Sequence, residues 1–386
     1  MKVLILGGDG YLGWATAMHL SAEGHEVCVC DNYLRRKLNS QFDSEPLFPV
    51  PHLEVRAEAW HRRVSRKIEV RNGDVTDWAF LGELMRSFDP AAVVHYAELP
   101  SAPFSMANRD CAALVLHNNL GTTLNLIHAV HEASPQAHII KLGTMGEYGT
   151  PNIDIEEGWI EVSHKGRRDK FLYPRQGGSL YHTTKIMDTD LLWFYVRTWG
   201  LRVTDLMQGP VYGVLTDESG GEPALMPHFS YDAVFGTVIN RFVVQAVAGI
   251  PLTVYGSGTQ RRGFLNIKDT LQCIRLVLEN PPAEGELRIC NQFVEVFSIL
   301  DLAERVATAA RKLGIASEVQ YLPNPRMEAE RHYYNPMHSA LPQMGLRPHP
   351  LTEEVIGEMI DVVRRHCERI NTRHILPQVE WRAKPS

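Results

Sequence analysis

Short apolar runs alternate with helical patterns along the first half of the chain. The apolar runs, taken as strand candidates, are Lys2–Leu6, Glu26–Cys30, Ile68–Arg71, Ala92–His95 and His138–Leu142. Amphipathic helical patterns lie between them, at Tyr11–Ala22 and Asn118–Glu132. Such alternation is typical of βαβ units that share a parallel sheet. We therefore predict an α/β fold of the Rossmann type, in which helices cover both faces of a doubly wound parallel sheet.

The pattern changes after one further strand candidate, Leu201–Gln208. Thr216–Ser230 is rich in glycine, proline and acids and indicates a loop. The later candidates are the helices Val238–Gly249, Ile299–Leu313 and Thr352–Asn371 and the short strand Pro251–Gly256. Ser298 is a suitable N-cap for the second of these helices. We expect residues 1–205 to form the dinucleotide-binding domain, and residues 206–386 to form mostly a smaller substrate-binding lobe, interleaved with the sheet domain.

Composition excludes several classes of function. The 386 residues carry a formal net charge of −6, which disfavours nucleic acid as a partner. No apolar run approaches the length of a membrane span, so no membrane association is expected. The six cysteines are scattered and form neither a zinc motif nor a secreted disulfide framework, so we expect no metal site and a cytoplasmic location.

The first strand candidate runs directly into a glycine-rich turn. Residues 3–13 read Val-Leu-Ile-Leu-Gly-Gly-Asp-Gly-Tyr-Leu-Gly. Gly7 permits the tight turn, Gly10 lets the backbone approach a pyrophosphate, and Gly13 lets the helix pack closely on the strand. The helix N-terminus supplies unpaired N–H groups and a positive dipole. This GxxGxxG spacing, between a strand and a helix, predicts a dinucleotide site.

The second strand candidate ends in Asp31, whose carboxylate can accept hydrogen bonds from the adenosine ribose hydroxyls. A carboxylate there repels a 2′-phosphate, so NAD is favoured over NADP. Arg35 and Arg36 follow closely and are the feature that could favour a 2′-phosphate, but we give Asp31 more weight. Asp74 and Val75, after the third strand candidate, form either an adenine contact or a simple turn.

A tyrosine and a lysine four residues apart, Tyr181 and Lys185, share one face of a predicted helix. A cation near a tyrosine lowers the pKa of the phenol, so Tyr181 can serve as a general base when an alcohol is oxidised. Thr144, at the end of a strand candidate, supplies a hydroxyl for the reacting oxygen. The alternative is a surface pair on an amphipathic helix. The predicted cofactor-binding residues are Gly7, Gly10, Tyr11, Leu12, Gly13, Asp31, Asn32, Arg35, Asp74, Val75, Tyr181 and Lys185.

Longer runs of residues resemble a known family, the extended short-chain dehydrogenases, and within it the UDP-sulfoquinovose synthases. The matching runs are residues 7–14, 141–158, 181–185, 208–213, 231–237, 251–256 and 324–330. They are spread over essentially the whole chain and are more specific than any short motif. The resemblance implies an NAD-dependent enzyme that acts on a nucleotide sugar, commonly as a homodimer.

The resemblance also implies roles for single residues. Tyr181 is the implied base, Lys185 its partner and Thr144 the group that binds the sugar 4-hydroxyl. Met145, Glu147 and His182 are implied to surround the sugar near its C5–C6 end. The remaining candidates are expected to bind the substrate, its nucleotide or its diphosphate, where an arginine fork matches phosphate oxygens: they are Ser179, Gln208, Asn240, Arg262 and Arg326.

The match fails at the end of the fourth strand candidate. The sulfoquinovose family reads Glu-Gln-Arg-Ser-Ala-Pro there, whereas this chain has Leu99 and Pro100 in place of the glutamine and the arginine. The family arginine is placed to attract an anion near the sugar C6, and sulfite is an anion. Arg331, where the family tends to have an acid, could restore positive charge. The departure therefore argues against sulfite addition.

These observations lead to one expectation and two alternatives. We expect an NAD-dependent nucleotide-sugar epimerase, which works through a transient keto sugar, oxidised at C4, with no net redox change. The first alternative is a UDP-sulfoquinovose synthase, which combines C4 oxidation, C5–C6 elimination, sulfite addition and reduction. The second is a non-catalytic NAD-binding regulator, since fold does not determine function. A 4,6-dehydratase is disfavoured, because Met145 and Gly146 replace the Asp-Glu pair that follows the threonine in such enzymes.

Overall fold

The computed structural model describes residues 1–326, 333–377, 379 and 381. Its strands are β1 Lys2–Leu6, β2 Glu26–Asp31, β3 Ile68–Asn72, β4 Ala92–His95, β5 His138–Thr144, β6 Trp159–His164, β7 Arg167–Leu172, β8 Arg202–Gln208, β9 Val211–Tyr212, β10 Leu252–Tyr255, β11 Arg261–Asn266, β12 Leu287–Gln292, β13 Glu295–Ser298 and β14 Val319–Leu322. Its α-helices are α1 Tyr11–Ala22, α2 Leu34–Gln41, α3 Leu53–Val64, α4 Trp78–Phe88, α5 Ala102–Ser105, α6 Arg109–Ala133, α7 Leu180–Trp199, α8 Val238–Val247, α9 Ile267–Glu279, α10 Ile299–Lys312, α11 Ala340–Gln343 and α12 Glu353–Arg364. Short 3₁₀ helices cover Met145–Tyr148, Pro223–Leu225, Cys367–Arg369 and Thr372–His374.

The largest sheet has seven strands in the order β12-β8-β5-β4-β1-β2-β3. All of its neighbours pair in parallel. The chain builds outward from β1 to β3 on one side and then crosses to β4 on the other, so the strand order reverses between β1 and β4. A crevice opens at the carboxyl ends of the strands at such a reversal. The predicted Rossmann fold is confirmed.

Strand β1 explains how both faces of the sheet are buried. Val3 and Ile5 pack on the face that carries Trp14 of α1, whereas Leu4 and Leu6 pack on the opposite face. Side chains alternate between the two faces of a strand, and helices cover both faces of a parallel sheet. The result is a strand with a nearly continuous apolar sequence, which is why this region is readable from the sequence.

A third core lies in the smaller lobe, where α8, α10 and α12 pack on one another. Leu47 and Phe48, from the first quarter of the chain, join this core. In the opposite direction, β12 contributes residues from the second half of the chain to the main sheet. The main sheet and the core of the smaller lobe therefore each contain residues from both sides of the predicted division at residue 205.

Several boundaries differ from the predicted ones. Helix α6 begins at Arg109, well before the predicted start at Asn118, because the side chain of Asn108 caps it by accepting a hydrogen bond from the Cys111 N–H. The helix predicted over 352–371 ends at Arg364. The antiparallel hairpin β6–β7 was not predicted, since its side chains are mostly charged and exposed and so carry no apolar alternation.

The described part of the chain contains no helix that combines the length and the apolar character needed to cross a bilayer.

Candidate active site

A cavity of about 510 Å³ opens at the carboxyl ends of the sheet strands, between the sheet and the smaller lobe. It collects most of the residues that the sequence indicated. Those that line it are Gly7, Gly10, Tyr11, Leu12, Gly13, Asp31, Asn32, Arg35, Val75, Thr144, Tyr181, His182, Lys185, Gln208, Asn240, Arg262 and Arg326. Asp74, Met145, Glu147 and Ser179 do not belong to its lining.

The glycine turn forms one end of this cavity. Gly7 has φ +89°, and a Cβ built on it would lie 2.6 Å from the backbone carbon of Tyr96. A Cβ on Gly13 would collide with the carbonyl oxygen of Gly7. Gly10 is the N-cap of α1, and no side chain of the described residues caps that end of the helix. Free N–H groups and close backbone approach fit the pyrophosphate of a dinucleotide.

Asp31 stands beside the turn as an ordered hydrogen-bond acceptor. Its carboxylate accepts from the N–H of Asp9 at 2.9 Å and from the N–H of Tyr33 at 2.7 Å. Burial, together with the charge of Asp9, raises the pKa of Asp31 to about 6. Its carboxylate lines the cavity, in the place where the adenosine ribose is expected.

The two neighbours predicted for the adenosine side differ in position. Asn32 lines the cavity and donates a hydrogen bond to Asp74 at 2.9 Å. Asp74 lies outside the cavity, where it also accepts from the N–H and hydroxyl of Thr76. Val75 contributes an apolar side chain to the wall. Asp74 therefore orients the Asn32 side chain from outside the cavity.

Both arginines that could favour a 2′-phosphate have partners within the protein. Arg36 donates to the two carboxylate oxygens of Asp9 at 2.7 and 2.6 Å. The guanidinium of Arg35 lies 3.6 Å from the ring centre of Phe235 and donates to Asn39 and Ser230. These contacts agree with NAD rather than NADP as the dinucleotide that fits this end of the cavity.

Helix α7 carries the tyrosine and the lysine into the cavity. Ser179 is its N-cap and accepts from the His182 N–H at 3.2 Å, so its hydroxyl orients the helix. Tyr181 lines the cavity, and burial, together with the charge of Glu98, raises the pKa of its phenol. The Lys185 ammonium donates to the Leu142 carbonyl at 2.5 Å and lies 2.6 Å from a carboxylate oxygen of Glu98.

Thr144, at the end of β5, lines the same cavity as Tyr181. Its hydroxyl accepts from the Gly146 N–H at 3.2 Å, and its own N–H donates to Glu147 at 3.1 Å. This reciprocal capping box fixes the threonine at the start of the 3₁₀ helix. The hydroxyl proton remains available to a ligand in the cavity.

Glu147 and Met145 lie behind the cavity wall. Glu147 is fully buried and forms ion pairs with Arg175 at 2.9 Å and Lys141 at 3.5 Å. Met145 packs in the core on that side of the sheet. Neither side chain faces the cavity, because the 3₁₀ helix that follows Thr144 turns both inward.

Arg262 and Arg326 line the cavity, and their charges affect the imidazole of His182. Burial, together with the charges of Arg326 and Arg262, lowers the pKa of His182 to about 3. The Arg262 guanidinium donates to the Arg261 carbonyl at 2.7 Å, and that of Arg326 lies 5.4 Å from the ring centre of Trp381. The His182 imidazole is therefore neutral near pH 7.

The two candidates with amide side chains, Asn240 and Gln208, also line the cavity. Asn240 donates to the Ser230 carbonyl at 3.0 Å, and Gln208 donates to Gln292 at 3.1 Å. Their remaining polar atoms can meet the nucleotide or sugar hydroxyls.

The segment that departs from the resembled family also reaches the cavity. Leu99 is buried against Phe104 and Val234, and its N–H donates to Asn119 at 2.9 Å. Pro100 is exposed at the cavity wall. The change therefore makes this wall apolar without disturbing the backbone hydrogen bond. Arg331, the proposed replacement charge, lies outside the described residues.

Sequence reasoning missed several residues that line the cavity. Glu98 is the most consequential, because it meets Lys185 across the site. His228, Arg241 and Tyr255 also line it. Glu98 follows a strand and stands next to a predicted site segment, and Tyr255 lies in the matching run 251–256, which were the available signals; His228 and Arg241 follow no local motif.

Comparison with known proteins agrees with this geometry. The sequence model described as "NAD dependent epimerase/dehydratase family" matches residues 3–291. The chain is 46% identical over 381 residues to the chloroplastic UDP-sulfoquinovose synthase of Spinacia oleracea, which covers 99% of this chain and 79% of that protein. It is 43% identical over 385 residues to the UDP-sulfoquinovose synthase of Sulfolobus acidocaldarius, which covers 99% and 98%.

A solved structure agrees with the fold. The UDP-glucose 4-epimerase of Bifidobacterium longum, in complex with NAD⁺ and UDP, superposes with a TM-score of 0.70 at 18% identity. The match covers 94% of this chain and 97% of that protein. At this level of identity the likeness concerns the fold alone.

Proposed function

The chain belongs to the NAD dependent epimerase/dehydratase family, and on that premise we propose that it is a UDP-sulfoquinovose synthase. The observation that carries this proposal is the identity of 46% and 43% to two UDP-sulfoquinovose synthases over 99% of the chain. In the proposed reaction a UDP-hexose and sulfite yield the 6-sulfonated sugar nucleotide and water.

Family membership confirms two expectations and corrects a third. That the chain is an enzyme, and that its cofactor is NAD, are both confirmed. The expectation of an epimerase is wrong, because the relatives at 43–46% identity are sulfosugar synthases. The error came from the weight given to the replacement of two family residues by Leu99 and Pro100.

We assign the first chemical step to the residues on α7 and β5. NAD, when bound, takes up a hydride from the sugar and later returns it. The Tyr181 phenol oxygen accepts the proton of the C4 hydroxyl, and the Lys185 ammonium stabilises the phenolate. The Thr144 hydroxyl donates to the same sugar oxygen and holds it against Tyr181.

The later steps need an acidic C5 hydrogen and an anion. A ketone at C4 acidifies the C5–H bond, so the C6 hydroxyl can leave as water and sulfite can add at C6. Arg262 and Arg326 both line the cavity, and guanidinium groups are suited to bind an anion such as sulfite even though Pro100 replaces the family arginine. His182 is neutral there and can hydrogen-bond to the sugar.

The proposal is tested by incubating the pure protein with UDP-glucose and NAD, with and without sulfite, and analysing products by mass spectrometry and NMR. We expect a sulfite-dependent product whose mass equals that of the substrate plus sulfurous acid minus water. A product of unchanged mass, with an altered ring-proton coupling, would overturn the proposal, as would the absence of any new product with sulfite present.

Asp31 is proposed to select NAD, and its charge can be tested alone. Asp31→Asn removes the repulsion of a 2′-phosphate and keeps the shape of the side chain, and its amide oxygen can still accept from one of the Asp9 and Tyr33 N–H groups. We expect the preference for NAD over NADP to fall by about tenfold, since one charge-assisted contact is lost. Calorimetric titration of both dinucleotides measures it. An unchanged ratio would contradict the assignment.

Helices α6 and α7 present an apolar face that we propose as the surface of a homodimer. The two helices pack side by side. Leu124 on α6 is 40% exposed, and Met187 and Phe194 on α7 are 41% and 51% exposed. Met187, Leu191 and Phe194 recur at helical spacing and so form one stripe. A second copy would bury these side chains.

Phe194→Asp is expected to convert this dimer to monomers, because a carboxylate at the centre of an apolar interface cannot be solvated. Sedimentation velocity at micromolar concentration measures the change. Phe171→Asp, on the exposed hairpin β6–β7, is a matched control that should leave the mass unchanged. A wild-type protein that sediments as a monomer would contradict the dimer.

A cytoplasmic location stays a prediction. All six cysteines are free thiols, five of them buried, which agrees with a reducing compartment. The Spinacia oleracea relative is described as chloroplastic.

A further inference from the structure

We propose that Glu98 is a positioning residue for the reaction: its carboxylate fixes the ammonium group of Lys185 and, through it, governs how Tyr181 exchanges its proton. The inference rests on the proposed catalytic role of Tyr181 and Lys185. Neither the glycine motif nor the tyrosine–lysine spacing points to Glu98, which lies 87 residues before Lys185 in the chain.

The geometry brings Glu98, from the segment that follows β4, to Lys185 on α7. Its backbone N–H donates to the Tyr96 carbonyl at 2.7 Å, which turns the chain sharply after β4 and sends the side chain into the cavity. Oε2 then lies 2.6 Å from Nζ of Lys185. The Leu142 carbonyl, near the end of β5, accepts from the same ammonium. The lysine is thus held between the ends of two adjacent strands.

Burial makes this ion pair strong. The side chains of Glu98 and Lys185 are both only 3% exposed, so water screens their interaction poorly. A buried carboxylate with one close cation keeps that cation in place, because separating the pair leaves two unsolvated charges. Lys185 is therefore restricted to one position while Glu98 is ionised.

Other charged groups surround the pair on every side. His95 of β4 lies 3.4 Å from Glu98, and burial lowers its pKa to about 4, so its ring is neutral near pH 7. Asp188 follows on α7, and burial raises its pKa well above the ordinary value. Lys141 of β5 and Glu147 of the 3₁₀ helix also act on Tyr181, with opposite signs.

Among these groups Glu98 is the one that offsets the Lys185 charge most directly. Burial raises the pKa of the Tyr181 phenol, and the charge of Glu98 raises it further. If Glu98 is neutral, the ammonium of Lys185 acts on the phenolate without compensation. The proton of Tyr181 should then dissociate at lower pH.

The test is a spectroscopic titration of Tyr181 in the protein saturated with NAD. Phenolate absorbance is recorded against pH for each variant, and the curve of the same variant carrying Tyr181→Phe is subtracted. We expect Glu98→Gln to move the titration to lower pH by roughly one unit. Glu98→Asp, which keeps the charge, should titrate close to the unmodified protein. Glu161→Gln, at an exposed site on the hairpin, should not move it.

A Glu98→Gln titration that coincides with the unmodified protein would overturn the inference, as would an equal shift in Glu161→Gln. If Glu98→Gln does not fold, Glu98→Ala removes the same charge and the same shift is expected. The titration needs neither sugar nor sulfite. It therefore succeeds or fails independently of sulfosugar synthesis, which the product analysis tests separately.

Discussion

Replacing Tyr181 with phenylalanine is expected to lower kcat by about 10²–10⁴-fold, the usual contribution of a general base. The substitution removes one oxygen and leaves the aromatic ring, so the cavity keeps its shape. NAD affinity should stay close to that of the unmodified protein, because the ring and Lys185 remain in place. The loss should therefore appear in the chemical step alone.

The structure explains why no other group can replace this oxygen. Thr144 uses its hydroxyl as a helix cap, burial lowers the pKa of His182 to about 3 and so makes it a weak base, and Glu147 does not line the cavity. Glu98 is ion-paired with Lys185. Tyr181 is the remaining proton acceptor of suitable position among these described neighbours.

Steady-state formation of the sulfite-dependent product measures the effect. Tyr195→Phe is a matched control, since Tyr195 lies on the same helix but contacts His128 on its far side, at 3.2 Å. It should leave kcat within a factor of about two. Activity retained by the Tyr181 variant would remove this tyrosine from the mechanism.

The second large effect concerns stability. Glu147→Gln should lower the free energy of unfolding by about 3–5 kcal/mol, the cost of breaking a buried ion pair by removing one partner. Glu147 has no exposed surface, and Arg175, 2.9 Å away, has a side chain that is 4% exposed. The neutral amide leaves the Arg175 guanidinium buried without its counter-charge. Lys141 keeps Asp205 at 3.2 Å and is affected less.

Urea denaturation followed by circular dichroism measures this change at neutral pH. Glu161→Gln, the same substitution on the exposed hairpin, should change the free energy of unfolding by no more than about 0.5 kcal/mol. A Glu147 variant of normal stability that loses all activity would contradict a supporting role. It would return Glu147 to the sugar-binding set that the sequence resemblance implied.

The charges around Arg36 illustrate the limits of local reasoning. From the sequence, Arg36 was a candidate to bind a 2′-phosphate. In the fold it donates to both oxygens of Asp9 and to the carbonyls of Val50 and Pro51. Neither the partner nor the burial of a long cation can be read from spacing, because both depend on segments that the fold brings together.

The sequence by itself determined the features that obey local rules. A buried parallel strand needs a continuous apolar run, a pyrophosphate turn needs glycines at fixed spacing, and two side chains on one helical face must stand four residues apart. For that reason the Rossmann fold, the glycine turn, and the placing of Tyr181 and Lys185 in one cavity were all predictable. The long matching runs also pointed to the sulfosugar synthases.

Only the tertiary structure decided which charges meet. The sheet places the segment after β4 beside β5, where α7 brings Lys185 to the Leu142 carbonyl, so Glu98 meets Lys185 across 87 residues of chain. The turn after Thr144 buries Glu147 against Arg175, and the fold brings Arg262 and Arg326 into the same cavity as Leu99 and Pro100. Electrostatic energy depends on distance and burial in space, and sequence spacing constrains neither beyond a few residues.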